Sequence, residues 1–153
     1  MTKSKVAIVV ADYYKDYTER LLNGSTSVLD GEYDYEVFSV PGAWDTVYKV
    51  NSLVDSYDKF IVIGIICKGD TDHYEYISSA VSNGLIDITI NKNIYIANCV
   101  LNVHSLDQAE KRCTPTNNKG EEAALALKDI FSWFTFKRYI IKSSEQCSTY
   151  CEK

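Results

Sequence analysis

Residues 69–77 read GDTDHYEYI and set one of the chain's two histidines, His73, directly behind Asp70, Thr71 and Asp72. Glycine lets a backbone turn tightly, and Asp and Thr open helices because their side-chain oxygens accept the first free amide N–H groups. Those amides carry partial positive charge, so a phosphate can take the place of the cap. The two aspartates compete with a phosphate for the same donors. An unperturbed imidazole titrates near neutrality and can pass protons to a reacting group. His73 can equally head the apolar stripe Ile77, Val81, Leu85 and simply pack. Anion capture beside a proton carrier is the chemistry this spacing offers.

Residues 41–45, PGAWD, place a rigid proline turn before small residues. Trp44 is able to wall a pocket there, and Asp45 to accept hydrogen bonds from a polyol. The plainer reading is a helix start with a core tryptophan. Tyr13 and Tyr14 offer rings for a planar heterocycle, a weak signal in a chain with 12 tyrosines. Arg112, in AEKRC, closes a helical stretch, and a helix C-terminus repels anions. By itself it assigns nothing. His104 opens a surface helix and reads as structural.

The elements that must carry these residues alternate. Apolar, β-branched runs occupy 6–11 (VAIVVA), 60–67 (FIVIGIIC) and 94–101 (IYIANCVL), with a more alternating YEVFSV at 35–40. Continuous apolar runs fit strands covered on both faces, as in a parallel sheet. Helical spacing lies between them over 16–30, 43–54 and 72–91. Two more helices are expected at about 104–112 and 118–131, the second opened by a capping box of Asn118 with Glu121. This alternation implies right-handed crossovers and a doubly wound α/β fold with a four-stranded parallel sheet. Ligands bind such sheets beyond the carboxyl ends of the strands. That gathers ADYY, PGAWD, KGDTDH and NCVLNV at one rim.

A length of 153 residues, 46% hydrophobic and 24% charged, suits one compact soluble domain. A net charge of -5 without a basic cluster argues against nucleic acid or an anionic membrane as partner. Five scattered cysteines, an odd number, read as free thiols in a reducing compartment. Cys147 and Cys151 form a C-x-x-x-C pair without companions for a zinc site, so no metal is expected. The apolar stretch near the start stops at Asp12 and lacks a cleavage-type sequence, and no segment approaches a membrane span. A cytoplasmic protein is expected. Residues 132–153 begin SWFTFKRYII, more apolar than a free tail, and read as an extension packed on the surface or on a neighbouring subunit.

Taken together, VPGAW, then YDKFIVIGIICKGDTDHYEYISSAVSNGL, then SLDQAEKRC and NNKGEEAALAL closely resemble lumazine synthase. That family's hallmarks are a VPGAFE turn, a G-x-V-I-R-G-x-T-x-H loop and a Q-A-x-x-R…N-K-G stretch. The resemblance spans about residues 5–131 and leaves 132–153 as a C-terminal extension. It implies a flavodoxin-like, three-layer doubly wound fold. It also implies condensation of 5-amino-6-(D-ribitylamino)uracil with 3,4-dihydroxy-2-butanone 4-phosphate, with no metal or organic cofactor. By the same resemblance His73 matches the proton-transfer histidine, while Asp70, Thr71 and Arg112 match the phosphate-binding positions. Ala43, Trp44 and Asp45 match the ribityl-contacting turn. Ile65, Ile66 and Cys67 match the strand end that reads the pyrimidine edge, and Tyr13 matches the aromatic that stacks on it. Lys119 matches a lysine near the site. Family sites lie between subunits of a homopentamer, and some members pack twelve pentamers into a shell.

The chain departs from the pattern in places. Asp12-Tyr13-Tyr14 stands for Arg-Phe-Asn or similar, Asp45 for glutamate and Lys68 for arginine. Lys68 keeps the charge and loses the planar fork. Asn98 stands where a phenylalanine from the adjacent subunit closes over the heterocycle, and CTPTNN is one residue shorter than the usual loop. A non-catalytic flavin- or lumazine-binding homologue is the alternative these departures leave open. A riboflavin synthase of the related archaeal type is a third, disfavoured by the intact GDTDHYEYI loop.

Overall fold

The computed structural model describes residues 5–132. Four strand–helix units come first: β1 (Val6–Ala11), α1 (Lys15–Leu29), β2 (Tyr35–Val40), α2 (Ala43–Leu53), β3 (Lys59–Cys67), α3 (His73–Lys92), β4 (Tyr95–Val103) and α4 (Leu106–Glu110). A hairpin of β5 (Cys113–Thr114) and β6 (Asn117–Asn118) follows. A last helix, α5, begins at residue 119 and continues through 132. The main sheet has the order β2-β1-β3-β4, and every pairing in it is parallel. The expected doubly wound sheet is there. Of the segment 132–153, everything from residue 133 lies outside the described residues.

Strand alternation divides the core into two apolar layers. Ala7, Val9, Phe60 and Val62 face one side, where α2 supplies Val50 and α3 supplies Val81 and Leu85. Val6, Ile8, Ile61 and Ile63 face the other, against Leu21 of α1 and Leu127 of α5. The central strands β1 and β3 are therefore covered on both faces, which explains their unbroken apolar sequences. Edge strand β2 is more exposed and its sequence alternates.

Two expectations need correction. The helix over 104–112 shrinks to five residues, and the chain spends 113–118 on a hairpin instead. Pro115 lies in that turn, where a missing amide N–H does no harm. The Thr114 hydroxyl accepts the Asn117 amide at 3.1 Å and closes the turn. Arg112 consequently lies beyond α4 rather than at its end. Asn118 does cap the next helix: its Oδ1 accepts the Gly120 and Glu121 amides at 2.9 and 3.2 Å. Its Nδ2 also donates to the Arg20 carbonyl of α1 at 2.9 Å.

That cap sits where α1 and α5 come very close. A Cβ on Gly120 would lie 1.9 Å from the Leu21 carbonyl oxygen. A Cβ on Gly24 would lie 2.3 Å from Asn118 Oδ1. The Ser25 hydroxyl, buried between the helices, donates to the Gly120 carbonyl at 2.8 Å.

Thiol environments follow from the layers. Burial pushes the Cys99 thiol up to about 12, and Cys113 is raised by burial as well. Neither will form thiolate near neutrality, and thiolate is the reactive species. Cys67, at the strand rim, is half-buried. Brief iodoacetamide treatment of the native protein should alkylate Cys67, with Cys99 and Cys113 modified only after denaturation. Peptide mass mapping reads this, and equal native labelling of Cys99 would contradict the layered packing.

Candidate active site

The rim at the carboxyl ends of the strands is laced together by backbone bonds. The Asp12 amide donates to the Val40 carbonyl at 2.8 Å, joining the exits of β1 and β2. The Lys68 amide donates to the Val103 carbonyl, also at 2.8 Å, joining those of β3 and β4. Gly64 sits beneath, where a Cβ would touch the Ala11 and Ala43 methyl groups at 3.4 and 3.6 Å. The exits therefore hold fixed positions relative to one another.

Three of the sequence segments meet on this rim. Residues 68–72 leave β3, and His73 begins α3, exposed to solvent. Thr71 Oγ1 accepts the His73 amide at 3.4 Å, and Asp72, although at the cap position, makes no side-chain cap. Asp70, Thr71 and Asp72 are exposed. Lys68 reaches over the first turn of α3, with Nζ 2.8 Å from Glu75 Oε1 and 5.8 Å from the Tyr74 ring centre. The hydrogen bond to Lys68 holds the Glu75 carboxyl below its ordinary range and raises the Lys68 ammonium in return. Tyr74 in turn meets the His104 ring edge to face at 6.0 Å. His104 thus supports the loop's neighbours rather than the loop's chemistry.

At the second exit Ala43 is buried at the start of α2 while Trp44 is 60% exposed. The core-tryptophan reading is wrong for Trp44. Asp45 turns back and accepts the Gly42 amide at 3.0 Å, the work of a helix cap. One of its oxygens is therefore engaged. At the first exit Tyr13 is 77% exposed and meets Tyr14 edge to face at 4.9 Å. Burial raises the Tyr14 phenol above its ordinary value, with Cys67 and Tyr13 adding to the effect. Tyr14 packs with Ile65, Val103, Ala109 and Cys67 in a small apolar cluster under the rim. Ile65 is buried there, Ile66 is buried on the opposite face of the sheet, and Cys67 is half-buried.

Three sequence candidates do not join this group within one chain. Asn98 lies in the middle of edge strand β4, where its Oδ1 accepts the Val100 amide at 2.9 Å. It is five residues before the strand end at Val103, roughly 16 Å at the rise of a β-strand. Arg112 and Lys119 flank Cys113 and α5, which pack on the α1 side of the sheet, whereas α3, which His73 begins, packs on the other. Arg112 Nη1 donates to the Gln108 carbonyl at 2.8 Å. Its own carbonyl accepts the Lys119 amide at 2.9 Å, so these two cationic residues form a second cluster. Lys119 Nζ is paired with Glu122 at 2.7 Å.

The sequence reading missed what organises that second cluster. Arg20 of α1 binds Glu110 with both prongs of its guanidinium, at 2.7 and 2.6 Å. The partners are 90 residues apart and share no motif. It also missed Lys68–Glu75, for which a seven-residue spacing across a turn gave no signal.

Comparison with known proteins agrees with the fold. A family model described as 6,7-dimethyl-8-ribityllumazine synthase matches residues 3–134. A relative of that name from Leuconostoc mesenteroides subsp. mesenteroides is 32% identical over 140 residues, covering 87% of this chain and 90% of that protein. One from Buchnera aphidicola subsp. Baizongia pistaciae is 32% identical over 139 residues, covering 86% and 87%. One from Limosilactobacillus reuteri is 30% identical over 142 residues, covering 90% and 91%. With its parallel β2-β1-β3-β4 sheet, its PGAWD turn and its histidine-bearing loop, the chain belongs to the 6,7-dimethyl-8-ribityllumazine synthase family.

Proposed function

We propose that this protein is a cytoplasmic lumazine synthase of riboflavin biosynthesis. It condenses 5-amino-6-(D-ribitylamino)uracil with 3,4-dihydroxy-2-butanone 4-phosphate to 6,7-dimethyl-8-ribityllumazine, without metal or organic cofactor. The observation that carries this reading is the meeting, on one laced rim of a chain of this family, of the His73 loop, the Ala43–Trp44–Asp45 turn and the exposed Tyr13 ring. Tyr13 stacks on the pyrimidine, whose edge meets the strand end at Ile65, Ile66 and Cys67. Asp45 keeps one oxygen for a ribityl hydroxyl beyond its bond to Gly42. His73 moves protons, and the loop at Asp70 and Thr71 receives the phosphate.

Arg112, Lys119 and Asn98 fit this reading when they come from a neighbouring copy. They lie away from His73 within one chain, and the catalytic unit over 1–131 is complete only as a homo-oligomer, a pentamer or an assembly of pentamers. Exposed apolar surface supports that. A groove of about 510 Å³ between α2 and α3 is lined by Trp44, Val47, Tyr48 and Ile88 among others. Tyr76, Ile86 and Ile90 extend the exposed apolar surface along α3, more than a solvated helix needs. Residues 132–153 are an extension to this unit.

Incubating the purified protein with both substrates and following lumazine absorbance tests the reading; a rate no higher than the spontaneous background would overturn it. Arg112→Ala should raise KM for the butanone phosphate about tenfold, the loss of one charge-assisted hydrogen bond. KM for the pyrimidine should stay nearly constant, and an equal rise in both would remove Arg112 from the phosphate. The commitment of Asp45 to the Gly42 amide favours a second reading, a homologue that binds lumazine or flavin without turnover. Retained ligand binding with no catalysis in the same assay would select it.

A further inference from the structure

We propose that Arg20 is a positioning residue for the phosphate corner, holding Arg112 and Lys119 in fixed relation through Glu110 and Asn118. The inference rests on the function proposed above. Helix α4 has only five residues and few bonds of its own, so outside contacts must set its place. Ala109 supplies an apolar anchor under the rim. Arg20 supplies the polar one, with both guanidinium prongs on Glu110 at 2.7 and 2.6 Å, two residues before Arg112. A planar fork on a carboxylate fixes direction as well as distance, which a lysine's point charge does not.

Arg20 is itself held. Its Nε donates to the Asp16 carbonyl at 3.1 Å, and its guanidinium lies 5.1 Å from the Tyr17 ring centre. Its carbonyl accepts Asn118 Nδ2 at 2.9 Å, and Asn118 caps the helix that Lys119 begins. The Lys119 amide then closes the circuit on the Arg112 carbonyl at 2.9 Å. One residue of α1 therefore reaches both cationic residues, by side chain to one and by backbone to the other. The ion pair is 39% and 49% exposed, and such pairs add little to global stability. Its contribution is geometric, and displacements on the scale of 1 Å are enough to weaken a bound group markedly.

Kinetics on the full chain test this, with Arg20→Ala, Arg20→Lys and Arg112→Ala measured side by side. Arg20→Ala should raise KM for the butanone phosphate about fivefold, less than loss of Arg112 itself, with KM for the pyrimidine and thermal stability nearly unmoved. Arg20→Lys, which keeps the charge but loses the fork, should recover only a small part of that loss. An unchanged KM for the phosphate substrate, or an equal rise in both KM values, overturns the proposal. Should Arg112→Ala leave the phosphate KM in place, Arg112 is misassigned, and hydrogen exchange decides the case for Arg20. Faster exchange over 106–119 in Arg20→Ala, with α3 unaltered, upholds the positioning role; exchange identical to wild type ends it.

Discussion

Gly120→Ala should destabilise the fold by about 3 kcal/mol or more, at the top of the range for overpacking a closed interface. Helix propensity alone points the other way, since alanine in a helix is worth about 1 kcal/mol over glycine. Geometry reverses the sign. The new methyl would sit 1.9 Å from the Leu21 carbonyl oxygen and 2.7 Å from its carbon, both backbone atoms that no rotamer change can clear. Relief requires α1 and α5 to separate, which breaks the buried bond from Ser25 to the Gly120 carbonyl. It also pulls on the Asn118 bridge to Arg20. Urea denaturation followed by circular dichroism at one fixed protein concentration measures the loss. A fall in Tm of about 6–12 °C is expected for a chain of this size. Gly69→Ala is the control, because nothing lies within 4 Å of its would-be Cβ. It should stay within about 0.5 kcal/mol of wild type. Equal stability of the two variants would refute the close helix contact.

The same interface marks the limit of what the sequence discloses. The apolar runs at 6–11 and 60–67 announced buried parallel strands, because burial on both faces leaves no room for polar alternation. The exit of β3 and the start of α3 were equally legible, since both are local, but Gly69 between them has no left-handed backbone angle and an open side-chain position. Contacts between distant segments were not. Gly120 reads locally as a weak helix residue, and only its approach to Leu21 explains the absence of a side chain. Arg20 and Glu110 carry no local signature of their pairing. Asp45 is an intermediate case: PGAWD was readable as a helix start, but the bond by which Asp45 accepts the Gly42 amide was not foreseen. Pro115 likewise made a hairpin available, and helical spacing on either side obscured it.

His73→Ala should lower kcat about 100-fold, the low end of what positioned proton transfer contributes. The proposed condensation explains why an imidazole matters. The amine of the pyrimidine adds to the ketone, and the carbinolamine loses its hydroxyl as water only when that oxygen is protonated. Phosphate leaves after a carbon-bound proton has been removed, so one reaction needs both an acid and a base. A group at the first residue of α3, exposed and beside the loop proposed to receive the phosphate, is suited to both. Removing it leaves the scaffold intact, because His73 is outside both core layers and its hydrogen bond to Thr71 Oγ1 is donated by the backbone amide rather than the imidazole. Stability should therefore hardly change, and KM for either substrate should move less than kcat. Added imidazole should restore part of the lost rate, since truncation to alanine leaves room beside the loop for a small diffusible proton carrier. A variant that keeps its rate, or a lost rate that imidazole leaves untouched while the fold is intact, would show that His73 serves only to start the helix.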